Sequence, residues 1–336
     1  MTDEEAAQYA TSLNALLMIA DPGSGSISAA PNLQPSYYPA WVRDSAFNAH
    51  ALALGGQEEA AKRFLADFCP DVQEPDGSFR QCYDSRGESA GVIDIENDQQ
   101  PLYIWAVRNV YEMTGDEEFL EEAWPAVEAA ADYTVDEIAH NGLLNPTHDF
   151  AEMPHNIRQS LWTNALAYRG LHDAAALAEA VGADPEPYRE VAGEGEDGIS
   201  GAIQEQLFDA SDEDPFYTKL TFSGPVSEDN VAYSAAVYPA GWAQDAGVDD
   251  VVLDEMMEYH REDDGHWLPS GLLLASSLYE QDRYDEGDTV LDRMMEETRP
   301  SGNLAEQVEE DGTQTFASLG WSQAMYITAM EHKYDA

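Results

Sequence analysis

The residues best suited to chemistry are carboxylates set beside aromatic rings. Glu306 stands just ahead of an acidic, Gly-containing turn in LAEQVEEDGTQTFASLGWSQA, where Trp321 opens the apolar run that follows. Glu152 lies among Phe150, Ala151 and Met153 in NGLLNPTHDFAEMPHNIRQS. That setting is expected to raise its pKa toward that of an acid working near neutrality. Trp41, Arg43 and Asp44 close the stretch SYYPAWVRD. Asp44 reads either as a helix N-cap with Arg43 as its surface partner, or as half of an Arg–Asp grip on sugar hydroxyls with the Trp41 face against the ring. Asp98, just before PLYIWA, poses the same choice between N-cap and hydroxyl ligand. The stretch HREDDGHWLPSG adds Arg261, His266 and Trp267. Glu152 and Glu306, if they face one another across a pocket, are the pair that glycoside hydrolysis needs: one protonates the leaving oxygen and the other activates water. A wide pocket leaves room for that water, which predicts inversion over a separation of roughly 6.5–9.5 Å.

Other chemistries find little support. The chain has no GxSxG, no Walker loop, no HExxH and no Rossmann fingerprint after a strand. His148 and His155 flank Glu152 without a third partner, so neither a metal site nor a cofactor is expected. Cys69 and Cys82 are too few for a disulfide framework and lack metal-ligand spacing.

Two kinds of helix must position these residues. Six runs are apolar almost all round, as buried helices are: 45–54, 101–111, 160–171, 230–243, 268–279 and 318–330. Six amphipathic segments with acidic outer faces alternate with them, at about 4–20, 57–69, 117–139, 172–206 (broken near Pro185), 248–259 and 283–298. Twelve helices alternating outer and inner predict an all-α (α/α)6 barrel in one domain spanning 1–336. A helical solenoid would not need such long polar loops. No strand is expected beyond weak candidates near Lys219–Ser223. The connections are asymmetric. Inner-to-outer turns are short, whereas the outer-to-inner loops 21–44, 70–100, 140–158, 208–229, 260–267 and 299–319 are mostly longer and rich in Trp, Tyr and acids. In an alternating barrel all six long loops share one end, and loops on a rigid scaffold are where function sits.

Composition narrows the partners. Sixty-six acidic residues oppose fifteen basic ones, a net charge of −51, with Lys62, Lys219 and Lys333 the only lysines. The acids are dispersed, which predicts adaptation to a high-salt interior rather than one acidic docking face. Nucleic acid and anionic membrane would both be repelled. The start of the chain has neither a basic region nor an apolar stretch of signal-peptide type, so a cytoplasmic, soluble protein is expected. The expected partner is an oligosaccharide or disaccharide substrate; the sequence does not specify an oligomeric state.

Three segments resemble one family. SGSISAAPNLQPSYYPAWVRD (24–44) is similar to the opening signature of glucoamylase-like catalytic domains, glycoside hydrolase family 15. LAEQVEEDGTQTFASLGWSQA resembles the family's closing segment, and HDFAEMPHNIRQSLWTNALAYRGL its general-acid segment, in the same order along the chain. The resemblance implies an inverting exo-hydrolase that removes glucose from a non-reducing end. Glu152 would be its acid and Glu306 its base. Trp41, Arg43 and Asp44 would hold the terminal sugar, Arg261 and Trp321 would line the same subsite, and the loop of Asp98 would wall the pocket. Ala151, Glu152 and Met153 stand where the family commonly has W-E-E, so the Trp and second Glu that hold its leaving-group sugar are absent. A phosphorylase on the same toroid and a catalytically inactive sugar-binding toroid are the competing readings.

Overall fold

The structure, a computed structural model, describes the chain except residues 32–37, 151, 153–156, 212–214, 221–223, 228–230, 263–265, 299–301, 310–311, 316 and 335–336. Its centre is a closed ring of six inner elements. These are α2 (Val42–Leu54), α5 (Gln99–Thr114), α7 (Leu161–Val181), a 3-10 helix (Val231–Ala236), α12 (Leu268–Glu280) and α14 (Gly320–Tyr334). Each packs on the next, and α14 returns to α2. Almost every residue of α2 and of α12 is buried, which is why their sequences lack a polar face. Close approach within the ring uses glycine: a Cβ at Gly170 of α7 would meet Pro101 of α5 at 2.5 Å.

The outer layer wraps this ring. α1 (Asp3–Ile19) packs on α14, and α3 (Glu58–Lys62) on α2. From α3 the chain continues through a π-helical stretch, Arg63–Phe68, into α4 (Cys69–Val72). Next come α6 (Glu117–Asp136) on α5 and α7, α8 (Glu186–Ala192) and α9 (Gly198–Gln206) on α7, α11 (Asp249–Glu262) on the 3-10 helix and α12, and α13 (Tyr284–Thr298) on α12. The arrangement is the (α/α)6 barrel read from the alternation of helices.

Two elements differ from the sequence reading. The run expected over 230–243 is not one helix in its described residues, 231–243: the 3-10 turn ends before Pro239, which lacks the N–H a helix needs, and Gly241 takes φ +71° ahead of the short α10 (Trp242–Asp245). Residues 172–181 belong to the inner layer, because α7 meets no breaker until Gly182 in the left-handed region at its C-cap.

The long loops are tied together by short strand pairings. Ala40 bridges Tyr83, and Glu96 bridges His148 in parallel. β1 (Arg158–Gln159), β2 (Tyr217–Leu220) and β3 (Gly224–Ser227) form one antiparallel sheet, with Arg158 opposite Leu220. β4 (His266–Trp267), β5 (Gln307–Val308) and β6 (Gln314–Thr315) form the other, with Trp267 opposite Gln307. Loops one to two, two to three, three to four and five to six are thereby joined on one rim.

Candidate active site

Arg43 organises the rim. It occupies the first turn of α2, whose Val42 N–H donates to Gln99 Oε1 at 3.0 Å and so locks the start of α2 to the start of α5. Although it is a full cation, Arg43 is only 2 % exposed. Its Nη1 donates to Asp98 at 3.1 and 3.3 Å and to Glu96 Oε2 at 3.3 Å; its Nη2 donates to Glu152 Oε1 at 2.8 Å. Nε lies 3.8 Å from Asp44 Oδ2. Burial opposes the charge, but the carboxylates of Asp98, Glu96, Glu152 and Asp44 outweigh it and hold the guanidinium firmly protonated. The surface role considered for Arg43 therefore fails. Asp98 does occupy the N-cap position of α5, yet its side chain makes no capping bond. Instead it accepts from Arg43 and, at 2.7 Å, from Trp162 Nε1. Asp44 lies inside α2, and Trp41 takes the N-cap position, half-buried against the core.

Glu152 sits at the crown of a loop with a rigid base. Arg158 donates from Nε and Nη2 to both oxygens of Asp149 at 2.8 and 2.9 Å, and Ser160 Oγ donates to Asp149 at 2.8 Å, all buried. The Glu152 N–H donates to the Asp149 carbonyl at 2.9 Å. Its φ of +44° is unusual for a residue with a side chain and marks local strain, which concentrates where function requires it. The apolar setting expected around Glu152 is not what its carboxylate meets: Phe150 turns inward onto Trp162 and Trp267, while the Glu152 side chain, 32 % exposed, reaches Arg43. Ala151 and Met153 lie outside the described residues.

Glu306 arrives from the opposite loop. Its N–H donates to Thr315 O at 3.1 Å and its carbonyl accepts from Leu268 N at 2.8 Å, fixing it beside Trp267 and the start of α12. Asp44 is the meeting point of the two halves. Burial raises its pKa to about 7; Arg43 pulls the other way, and the charges of both Glu152 and Glu306 push it further up. Glu96 and Asp98 are likewise raised, first by burial and against the pull of Arg43. One arginine thus faces a surplus of carboxylates, which strengthens the hold of the buried ones on a proton.

Aromatic rings floor the site. Trp321 packs edge-on to Trp267 at 5.0 Å, tilted to Trp162 at 6.0 Å and stacked on Phe47 at 5.4 Å. Trp321 is 3 % exposed, as deeply set as Arg43, and Trp267 beside it is half-buried. Arg261 is not brought to the cluster. It ends the outer helix α11 with its side chain 62 % exposed, 4.0 Å from Glu286. The side chain of His266 lies outside those described. Glu96, Trp162 and the Asp149–Arg158 pair escaped the sequence reading. Alternation in DIEND (94–98), with acids at 94, 96 and 98, was the available signal for Glu96. Among the described residues no group of His, Cys, Asp and Glu is arranged to hold a metal ion, and no helix is long and apolar enough to cross a membrane.

Residues 37–152 match a family model described as the mannosylglycerate hydrolase MGH1-like glycoside hydrolase domain. The chain resembles glycoside hydrolases. A stretch of 169 residues is 34 % identical to a glycosyl hydrolase of Methanocaldococcus jannaschii that is described as uncharacterized, covering 50 % of this chain and 26 % of that relative. The barrel superposes on a wild-type glycosidase with a TM-score of 0.79 at 19 % identity, over 99 % of both chains. It superposes equally well, at 0.79 and 16 % identity, on a family 15 glucoamylase from Hypocrea jecorina, over 99 % of this chain and 72 % of that one. A bacterial glucoamylase complexed with acarbose gives 0.75 at 16 % identity, over 98 % and 55 %. At these identities the structural likeness is one of fold, and together with the family model it supports a glycoside-hydrolase-type domain.

Proposed function

We propose that the chain is an inverting, exo-acting glycosidase that releases glucose from the non-reducing end of neutral α-glucosides. The observations that support this reading are the 2.8 Å contact of Glu152 with the buried Arg43 and the charges of Glu152 and Glu306, from loops three and six, both acting on the neighbouring Asp44. Glu152, partly exposed at the rim, gives its proton to the glycosidic oxygen as the bond to the anomeric carbon breaks. Glu306 takes a proton from the water that attacks the opposite face of that carbon. Arg43, Asp44 and Asp98 grip hydroxyls of the terminal sugar, with Trp267 and Trp41 as apolar faces.

The charge of the site supports a neutral substrate. Four carboxylates surround Arg43 and would repel a phosphate, which disfavours phosphorolysis. Mannosylglycerate, the substrate in the matched family's description, carries a carboxylate of its own and fits this acid-rich rim poorly. Glu152→Gln and Glu306→Gln should each lower hydrolysis of an α-glucoside by about two to four orders of magnitude, with sugar binding by calorimetry retained. Wild-type-like turnover in either variant contradicts the assignment, and a wild-type chain that binds sugar without turnover favours the sugar-binding toroid.

A further inference from the structure

Outward of Glu152 the rim opens into a hollow of about 560 Å³ between loops two and three. Glu152 is one of its lining residues, and the walls include the aliphatic side chains of Val92, Ile93, Ile95, Pro146 and Ile157. Val92 is 98 % exposed, an unusual position for a β-branched apolar residue on a chain with so polar a surface. It is held there by design of the backbone. The N–H groups of Val92 and Ile93 donate to Oε1 of the buried Gln81 at 2.8 and 2.9 Å. A Cβ at Gly91 would meet that same oxygen at 2.5 Å, so the segment needs glycine to lie this close.

The polar part of the lining selects by charge. Among its described residues Asp94 and Glu152 are acids, and His148 is the single residue able to carry positive charge. The nearby Arg80 is taken up by Glu74, at 2.9 Å, and by Asp94. No Trp, Tyr or Phe is present among them to offer the flat face on which a second sugar ring packs.

We propose that this hollow is the leaving-group subsite and that it takes a neutral aglycone with an aliphatic surface, in preference to a second sugar or to an anionic group such as glycerate. The inference rests on Glu152 as the acid, since the hollow begins where its proton is delivered. In that reaction the aglycone oxygen receives the Glu152 proton and departs as an alcohol. Water supplies the oxygen bonded to the anomeric carbon, and its proton goes to Glu306. No further reactant is needed.

The test is a series of α-glucosides that share the sugar and differ in the leaving group: methyl, octyl, glucosyl (maltose) and glyceryl carboxylate. They are assayed in molar KCl with the wild-type chain and with Val92→Asp and Ile157→Asp. The octyl compound should exceed methyl and maltose in kcat/KM by about tenfold or more, the increment of burying a few methylenes, with the glycerate glucoside slowest. Each variant should shrink the octyl-to-methyl ratio toward unity. An equal ratio in wild type and variants, or a preference for maltose or the glycerate glucoside, overturns this subsite while leaving the hydrolase reading intact. No turnover of any α-glucoside by the wild-type chain removes both.

Discussion

Arg43 is buried among acids, and burial, with a smaller push from Glu152 and Glu306, raises the carboxyl of Asp44. The Asp44 carboxyl is raised to about 7 in the folded chain, against 3.8 for an aspartate in the unfolded one. Between those values the folded state holds more protons than the unfolded state, so this group makes stability fall as pH rises from about 4 to about 7. Asp44→Asn keeps the shape and removes the titration. Its stability relative to wild type should therefore improve steadily across that window and level off above it, as measured by denaturant unfolding at fixed salt. A pH-independent difference would show that Asp44 is ionised throughout. Part of this site was legible at the residue level. Trp41, Arg43, Asp44 and Asp98 announce themselves as polar groups placed just before apolar helices. Trp162 does not, because an indole inside SLWTNAL reads as core, and its N–H acquires a role only when folding brings Asp98, distant in sequence, to 2.7 Å. Trp321 was legible as an aromatic at a loop end, but its depth was not: the packing of α14 on α2 leaves it 3 % exposed.

The helices were readable because burial writes a period into sequence, and both layers of the barrel carry one. Outer helices also start with acid pairs: Glu58 and Glu59, Glu117 and Glu118, Asp249 and Asp250, Asp285 and Glu286. These carboxylates complement the helix dipole, so part of the charge is locally favourable. Where composition stays apolar but a breaker intervenes, periodicity misleads: Pro239 and Gly241 end the fourth inner element early, and Gly182 ends the third one late. Apart from the weak candidate near Lys219–Ser223, which overlaps β2, the rim strands left no trace, since pairs of two to four residues are too short for alternation to register. They matter nonetheless. The β4–β5–β6 sheet sets Glu306 beside Trp267, and the β1 end of loop three carries the Asp149–Arg158 clasp beneath Glu152.

At the scale of the whole molecule the net charge of −51 dominates. Among the described residues many of the few cations are already engaged: Lys62 with Asp116, Arg189 with Glu179, Arg283 with Asp254, and Lys333 with Glu5 and Asp288. The remaining acids have only dissolved counterions to screen them, over a Debye length of about 10 Å at 0.1 M salt and about 3 Å at 1 M. The melting temperature should accordingly rise by about 10 °C or more between 0.1 M and 2 M KCl, followed by circular dichroism. A flat response would assign the acids some task other than tolerance of salt. The central claim, that Glu152 and Glu306 act as acid and base on opposite faces of one sugar, is tested most directly by the anomer first released. Proton NMR of an α-glucoside during the earliest turnovers should show β-glucose, with α-glucose growing in only by mutarotation; α-glucose as the initial product would contradict the account.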